Sequence, residues 1–278
     1  MPVANVNDAE LHYVVSGAGE PLLLIPGLGL DHQYYRRAVP RLSEKVMVHA
    51  VDPRGIGQST KSDPPYTVEA WAEDFVALIK TLDVGRMHVL GSSLGGSMAL
   101  ALAEQAPELV KSLIIVGGFS ELDRAAELNF DLRMRLIERL GLNAEVADYM
   151  ALWTLSREFL NSEVGYEQML ANQKIIKQNS SEMYLEFVRS VLAWGRCLPG
   201  QENEPKFTER LGNIKAPTLV IGAPNDNLIP LALSELIAER IPGAELREMP
   251  KGGHIPFIEK PDEVADIVLD FIASHANA

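Results

Sequence analysis

The segment Gly91-Ser92-Ser93-Leu94-Gly95 has the G-x-S-x-G spacing. It follows an apolar run, Met87–Leu90, and precedes an apolar helical stretch from about Gly96 to Gln105. A serine on so sharp a strand-to-helix turn stands with its hydroxyl exposed at a sheet edge, and the glycines remove side chains that would strike nearby backbone. Ser93 is therefore the candidate nucleophile, and Ser92, the x residue, is badly spaced for that role. A hydroxyl needs a base, and the base needs an orienting acid. His254 follows Lys251-Gly252-Gly253 near the last strand-like run, and Asp226 stands in Asn225-Asp226-Asn227-Leu228-Ile229-Pro230 after the run Pro217–Gly222. The order Ser, Asp, His is the one an elbow of this kind requires. Glu121 and Asp123, just past the run Leu113–Val116, are rival acids.

Attack on a carbonyl creates an oxyanion, and losing one backbone donor to it typically costs about 3 kcal/mol in the barrier. Pro26-Gly27-Leu28-Gly29 follows the apolar run Pro21–Pro26. The N–H groups of Leu28 and Leu94 are the expected oxyanion donors. Asp52-Pro53-Arg54-Gly55-Ile56-Gly57-Gln58-Ser59 reads as a structural loop in which Asp52 and Arg54 satisfy local hydrogen bonds. The remaining histidines read as core or surface residues. Cys197 reads as a structural or exposed thiol. No metal-ligand spacing and no glycine-rich nucleotide motif occurs, so neither metal nor cofactor is expected.

These residues need a scaffold. Val3–Val6 and Leu11–Val15 read as a hairpin, and Pro21–Pro26, Val46–Val51, Met87–Leu90 and Leu113–Val116 read as short buried strands. Between them lie amphipathic helical stretches, notably Thr67–Leu82. Such alternation implies a largely parallel sheet covered on both sides. From about Phe119 to Lys206 no strand pattern is visible, only helical stretches broken at Gly141-Leu142-Asn143, Asn161-Ser162, Asn179-Ser180-Ser181 and Pro199-Gly200. Alternation then resumes at Pro217–Gly222, with a helix near Leu231–Arg240, a strand near Glu245–Glu248 and a final helix from about Pro261 to Ser274. The expected organisation is an α/β core, 1–118 with 207–278, and a helical insertion, 119–206, over the strands' carboxyl ends. Its large apolar residues, Tyr149, Met150, Trp153, Phe159, Met183, Tyr184, Phe187 and Trp194, exceed what a solvent-facing cap needs, so some should face the substrate, with Trp153 and Trp194 singled out.

Bulk properties narrow the class. The 278 residues suffice for one large domain, nearly half are hydrophobic, and the net charge of −13 disfavours nucleic acid and anionic membranes as partners. One cysteine permits no intrachain disulfide, no run approaches the roughly 18 apolar residues of a membrane span, and the N-terminus lacks a signal-peptide pattern. A soluble, cytoplasmic protein of unspecified oligomeric state is expected.

Together DPRGIGQS, GSSLGG, NDNLIP and GGHIPFIEKPDEV resemble the α/β-hydrolase family along the whole chain. PGLGLDHQYY, DPRGIGQST and IPGAEL are most similar to 3-oxoadipate enol-lactonases and related small carboxylesterases. The chain departs from common family residues at Pro26 and Ser92, where many members have histidine, and at Ala223, where many have glycine. The resemblance implies an eight-stranded, mostly parallel sheet with a helical lid after strand six. It also implies hydrolysis of a small ester or lactone substrate through a Ser-His-Asp triad and an acyl-enzyme. Two alternatives stand beside that: hydrolysis of a C–C bond in a vinylogous diketone, and a ligand sensor that retains the triad. Serine in place of aspartate as nucleophile argues against haloalkane dehalogenase or epoxide hydrolase chemistry.

Overall fold

The computed structural model describes residues 2–176, 180–201 and 203–276. Asn179 and parts of the helical segment, 177–179 and 202, lie outside them. Eight strands form one sheet: β1 (Val3–Val6), β2 (Ala9–Ser16), β3 (Glu20–Ile25), β4 (Val46–Val51), β5 (Met87–Ser92), β6 (Val110–Val116), β7 (Thr218–Gly222) and β8 (Glu245–Glu248). Their order is β1-β2-β4-β3-β5-β6-β7-β8, antiparallel at β1–β2 and β2–β4 and parallel elsewhere. Central β5 is buried at every position, whereas edge strand β1 alternates exposed and buried residues. That contrast follows from covering the centre on both faces and an edge on one.

Helices α1 (Val39–Leu42), α2 (Val68–Leu82) and α3 (Leu94–Gln105) fall among the first six strands. Between β6 and β7 come α4 (Arg124–Leu140), α5 (Ala144–Thr154), α6 (Arg157–Leu160), α7 (Glu163–Ile175) and α8 (Ser181–Trp194). The chain ends in α9 (Leu231–Arg240), α10 (Pro256–Glu259) and α11 (Pro261–Ser274). One face of the sheet packs on Trp71 and Phe75 of α2, Met98 of α3 and Ile237 of α9. The other packs on Leu42 of α1, Phe257 of α10 and Val264 and Val268 of α11.

The helices between β6 and β7 start where polar residues interrupt the apolar pattern. Asp123, Asn143, Ser156, Ser162 and Ser180 each accept a hydrogen bond from a first-turn backbone N–H of α4 to α8 in turn. A cap of this kind is worth about 1 kcal/mol, which explains why the breaks are legible as small polar residues. Among the described residues no helix is long and apolar enough to cross a membrane.

Candidate active site

The turn from β5 into α3 puts Ser93 at φ 55°, ψ −124°, a backbone conformation that side chains rarely adopt. Its neighbours have no room for a side chain. A Cβ on Gly91 would collide with the Gly95 carbonyl, and one on Gly95 would collide with the Ile25 carbonyl of β3. Glycine at both places lets α3 pack directly on two strands, which turns the Ser93 side chain outward. Ser93 is also pinned by its own N–H, which donates to Val116 O at 2.9 Å.

The loop after β7 brings Asp226 to the same edge. Oδ1 accepts from the N–H groups of Leu228 (2.9 Å) and Ile229 (2.8 Å), leaving Oδ2 for the Nδ1 of His254 at 2.7 Å. The Nε2 of His254 lies 2.8 Å from Ser93 Oγ. Asp226 and His254 are almost wholly buried, which lowers the local dielectric and strengthens the contact. The backbone around His254 is fixed from the helical segment: its N–H donates to Thr154 O, at the end of α5, at 3.0 Å. Gly117 follows β6 at φ 56° and lies against both residues, since a Cβ there would sit 3.4 Å from His254 Nδ1 and 3.6 Å from Asp226 Oδ2. Neither rival acid takes part. Asp123 caps α4 through Ala126 N, and Glu121 pairs with Lys206 Nζ at 2.8 Å.

Leu28 lies in a turn closed by Leu30 N donating to Gly27 O at 3.1 Å, with Gly29 at φ 67°. A Cβ on Gly27 would sit 3.1 Å from Ser93 Cβ, so this loop runs against the serine. Leu94 opens α3, where a first-turn N–H has no intrahelical acceptor. Leu28 and Leu94 line the same cavity of about 170 Å³ as Ser93 and His254. The cavity wall is mainly apolar, with Phe119, Phe130, Met150, Ile176 and Val191 supplied from the β6–β7 connection. A hydroxyl and an imidazole in hydrogen-bond contact beside one small apolar space are the groups that addition to a carbonyl needs.

Trp153 and Trp194 do not line that cavity, which corrects the sequence expectation. Trp194 donates from Nε1 to Phe119 O at 3.0 Å and packs on Phe207 with ring centroids 4.5 Å apart, so its indole is committed to the interior. Trp153 is half-buried and packs against the main core cluster. The residues that do face the cavity from these helices include Met150 and Tyr184, and also Arg133, which the sequence reading passed over. A signal for Arg133 existed. Ala126, Phe130 and Ile137 form the buried stripe of α4, and Arg133 occupies the same helical phase. Tyr34, whose hydroxyl meets Ser92 Oγ at 3.0 Å, was passed over too. Burial raises its pKa well above the usual phenol range, so it stays a neutral hydroxyl.

Other candidate groups are spoken for. His12, His32 and Asp52 bring potential ligand atoms within 4.8 Å of one another. The Asp52 carboxylate accepts from His32 N and Gln58 N at 2.8 and 2.9 Å and lies 2.7 and 3.1 Å from the Nδ1 atoms of His32 and His12. Arg54 clasps Asp74 through two 2.7 Å hydrogen bonds, as befits a structural loop. Burial pushes the Cys197 thiol up to about 11, which leaves little thiolate.

Comparison with known proteins identifies the fold and the family. Over its length the chain is 30% identical to a protein named as a carbamate hydrolase, RutD, from Azorhizobium caulinodans, covering 98% of each. It is also 30% identical to one named as a non-heme bromoperoxidase, BpoC, from Mycobacterium tuberculosis, covering 95% of this chain and 98% of the other. The solved enol-lactonase from Burkholderia xenovorans superposes with TM-score 0.84 at 24% identity, over 98% of this chain and all of that one, a likeness of fold. The family model described as the alpha/beta hydrolase fold matches residues 20–261, and the chain belongs to that family of hydrolases.

Proposed function

We propose that the chain is a serine hydrolase that cleaves a small carboxylic ester or lactone through an acyl-enzyme on Ser93. One observation carries the reading: Ser93 Oγ, both ring nitrogens of His254 and Asp226 Oδ2 form a continuous hydrogen-bonded line, with links of 2.8 and 2.7 Å, opening on an apolar cavity. His254 Nε2 takes the Ser93 proton as Oγ bonds to the substrate carbonyl carbon, and the carbonyl electron pair moves onto oxygen between the N–H groups of Leu28 and Leu94. Asp226 holds Nδ1 protonated and stabilises the imidazolium. Collapse breaks the bond to the alkoxy oxygen, which leaves with the proton from His254. In a lactone that hydroxyl remains attached to the acyl group. Water then attacks the acyl ester by the same route and frees the acid and Ser93. The helices between β6 and β7 act as a lid that excludes bulk water and sets substrate size. The cavity volume is close to that of an engineered cavity of about 150 Å³ that admits benzene, so the substrate has on the order of ten non-hydrogen atoms.

The test is turnover of short acyl esters, lactones, carbamates and ring-fission diketones by wild type and Ser93→Ala. Carbamates belong in the panel because relatives carry that name and their carbonyl accepts the same attack. Short esters or lactones turn over, and Ser93→Ala loses roughly 10⁴- to 10⁶-fold in kcat. Diketone cleavage outrunning every ester, or ligand consumed only once per protein, overturns the reading in favour of C–C hydrolysis or sensing.

A further inference from the structure

Five side-chain hydroxyls line the cavity: Tyr34, Ser92, Ser93, Thr154 and Tyr184. Three of them have a place for their protons. Ser93 Oγ meets His254 Nε2 at 2.8 Å, Thr154 donates to Met150 O at 3.0 Å, and Tyr184 donates to Met150 Sδ at 3.6 Å. The remaining two face each other. Tyr34 Oη and Ser92 Oγ lie 3.0 Å apart, and neither makes another hydrogen bond among the described residues. Each carries one proton, and one contact uses only one of them. Tyr34 is 4% exposed and Ser92 is 1% exposed, so bulk solvent does not take up the other. A buried donor left unmade is costly, and a ligand in the cavity is where it can be met.

The chemistry of the pair says which proton is spare. A phenol is the more acidic hydroxyl, so Tyr34 donates to Ser92 Oγ and the hydrogen of Ser92 is free to turn into the cavity. Donation from Tyr34 polarises Ser92 and strengthens what it gives onward. The tyrosine cannot swing away, because its ring is held edge-on by Tyr35 and Phe257 at 4.8 and 5.8 Å between centroids. Ser92 closes β5 one residue before Ser93, with Cα atoms about 3.8 Å apart. The pair shares its part of the wall with Leu30, Ile255 and Ile258, which pack in the core under one face of the sheet. Phe130 and Val191 line the cavity from the core under the other face. The surroundings also select the charge of a ligand. Burial first, and then the carboxylates of Glu259 and Asp226, push the Tyr34 pKa up. The same carboxylates repel an anion at this place, whereas a neutral oxygen accepts a hydrogen bond without that penalty.

We propose that Tyr34 and Ser92 form a specificity site that gives one hydrogen bond to a neutral oxygen on the acyl chain, so that the preferred substrate is a small ester or lactone carrying an ether or hydroxyl oxygen close to the scissile carbonyl. This rests on the reading of Ser93 as the nucleophile of an ester hydrolase. An all-carbon acyl chain of the same size leaves the Ser92 hydrogen unpaired, and a site built around a donor discriminates against such a chain.

The test compares methyl 3-methoxypropanoate with methyl pentanoate, in which a methylene replaces the ether oxygen. Acid release is followed by pH-stat, and each kcat/KM is divided by that ester's own hydroxide-catalysed rate to remove intrinsic reactivity. Wild type should accept the ether at least as well as the alkyl ester. Ser92→Ala should lower the ether-to-alkyl ratio by roughly 10-fold, the scale of one buried hydrogen bond, and Ser92→Thr should restore most of it. Tyr34→Phe, which removes a single oxygen, should lower the ratio by roughly 3-fold as Ser92 loses the donor that orients it. Because each value is a ratio within one protein, a general loss of activity or stability in a variant does not move it. A ratio unchanged in Ser92→Ala or in Tyr34→Phe overturns the site even if Ser93→Ala is inert. An active Ser93→Ala whose ratio still falls on adding Ser92→Ala instead overturns the nucleophile and leaves the hydroxyl site standing.

Discussion

Glu259 offers a way to perturb the His254 loop without touching the three aligned groups. Only 7% of its surface is exposed, and its carboxylate accepts from Ser156 N at 3.0 Å and from Ser156 Oγ at 2.5 Å. The same carboxylate packs against Gly253, where a Cβ would sit 2.5 Å from Oε1. Ser156 begins α6 and is itself buried, so this contact ties the β6–β7 helices to the residue before His254. Glu259→Ala strands two buried donors on Ser156. Each costs about 1–3 kcal/mol, giving a loss of about 2–6 kcal/mol. For a chain of this size that lowers Tm by roughly 5–15 °C. Glu259→Gln keeps the volume and one acceptor and should cost about 1 kcal/mol. The pH dependence has a definite sign. Burial raises the Glu259 pKa above the ordinary 4.5, against the pull of the Ser156 hydrogen bonds. From 4.5 up to the raised value the folded chain therefore binds more protons than the unfolded one, and this group's contribution makes stability fall as pH rises through that window. Denaturant melts of wild type and Glu259→Gln across pH 4–7, with kcat on a short ester, read both effects. A Glu259→Ala protein with wild-type Tm and kcat would refute the clasp, and an identical pH slope in Glu259→Gln would refute the raised pKa.

Other expectations concern the cavity and the acid. In Asp226→Asn the new amide keeps its oxygen on Leu228 N and Ile229 N and turns its NH₂ toward His254 Nδ1, forcing the wrong tautomer, so kcat should drop by roughly 10⁴ with KM little changed. Steady-state kinetics check this, and near-wild-type kcat contradicts it. Met150→Ala, which enlarges the cavity, should shift relative kcat/KM between acetyl and hexanoyl esters by about 10-fold. Trp194→Ala should instead cost about 3–5 kcal/mol of stability, seen in a denaturant melt, and leave that ratio alone, because its indole faces Phe207 and Phe119 O.

Much of the scaffold was legible because each element carries a local signature. PLLLIP and VMVHAV are short apolar runs between turn residues, and Gly91 and Gly95 are demanded by a steric problem that reaches only from β5 to its immediate neighbours. The breaks between α4, α5 and α7 coincide with capping side chains for the same reason. What stayed hidden depends on distant partners. Ser156 and Glu259 are 103 residues apart, and nothing near either announces the other. Trp153 and Trp194 were expected to face the substrate because size and apolarity do not say which side of a helix meets a cavity and which meets another helix. Arg133 could have been flagged from its place in the apolar stripe of α4, but that no carboxylate among the described residues pairs with it is a property of the packed structure.

The central claim is that Ser93 forms a covalent bond during turnover. A fluorophosphonate reacts with a serine activated in this way and leaves one stable phosphonyl group. Intact-mass and peptide-mapping measurements after treatment should find a single adduct on Ser93, blocked by prior incubation with a slow ester substrate and absent in Ser93→Ala. An adduct on Ser92 or elsewhere, or an unlabelled protein that still hydrolyses short esters, would contradict the account.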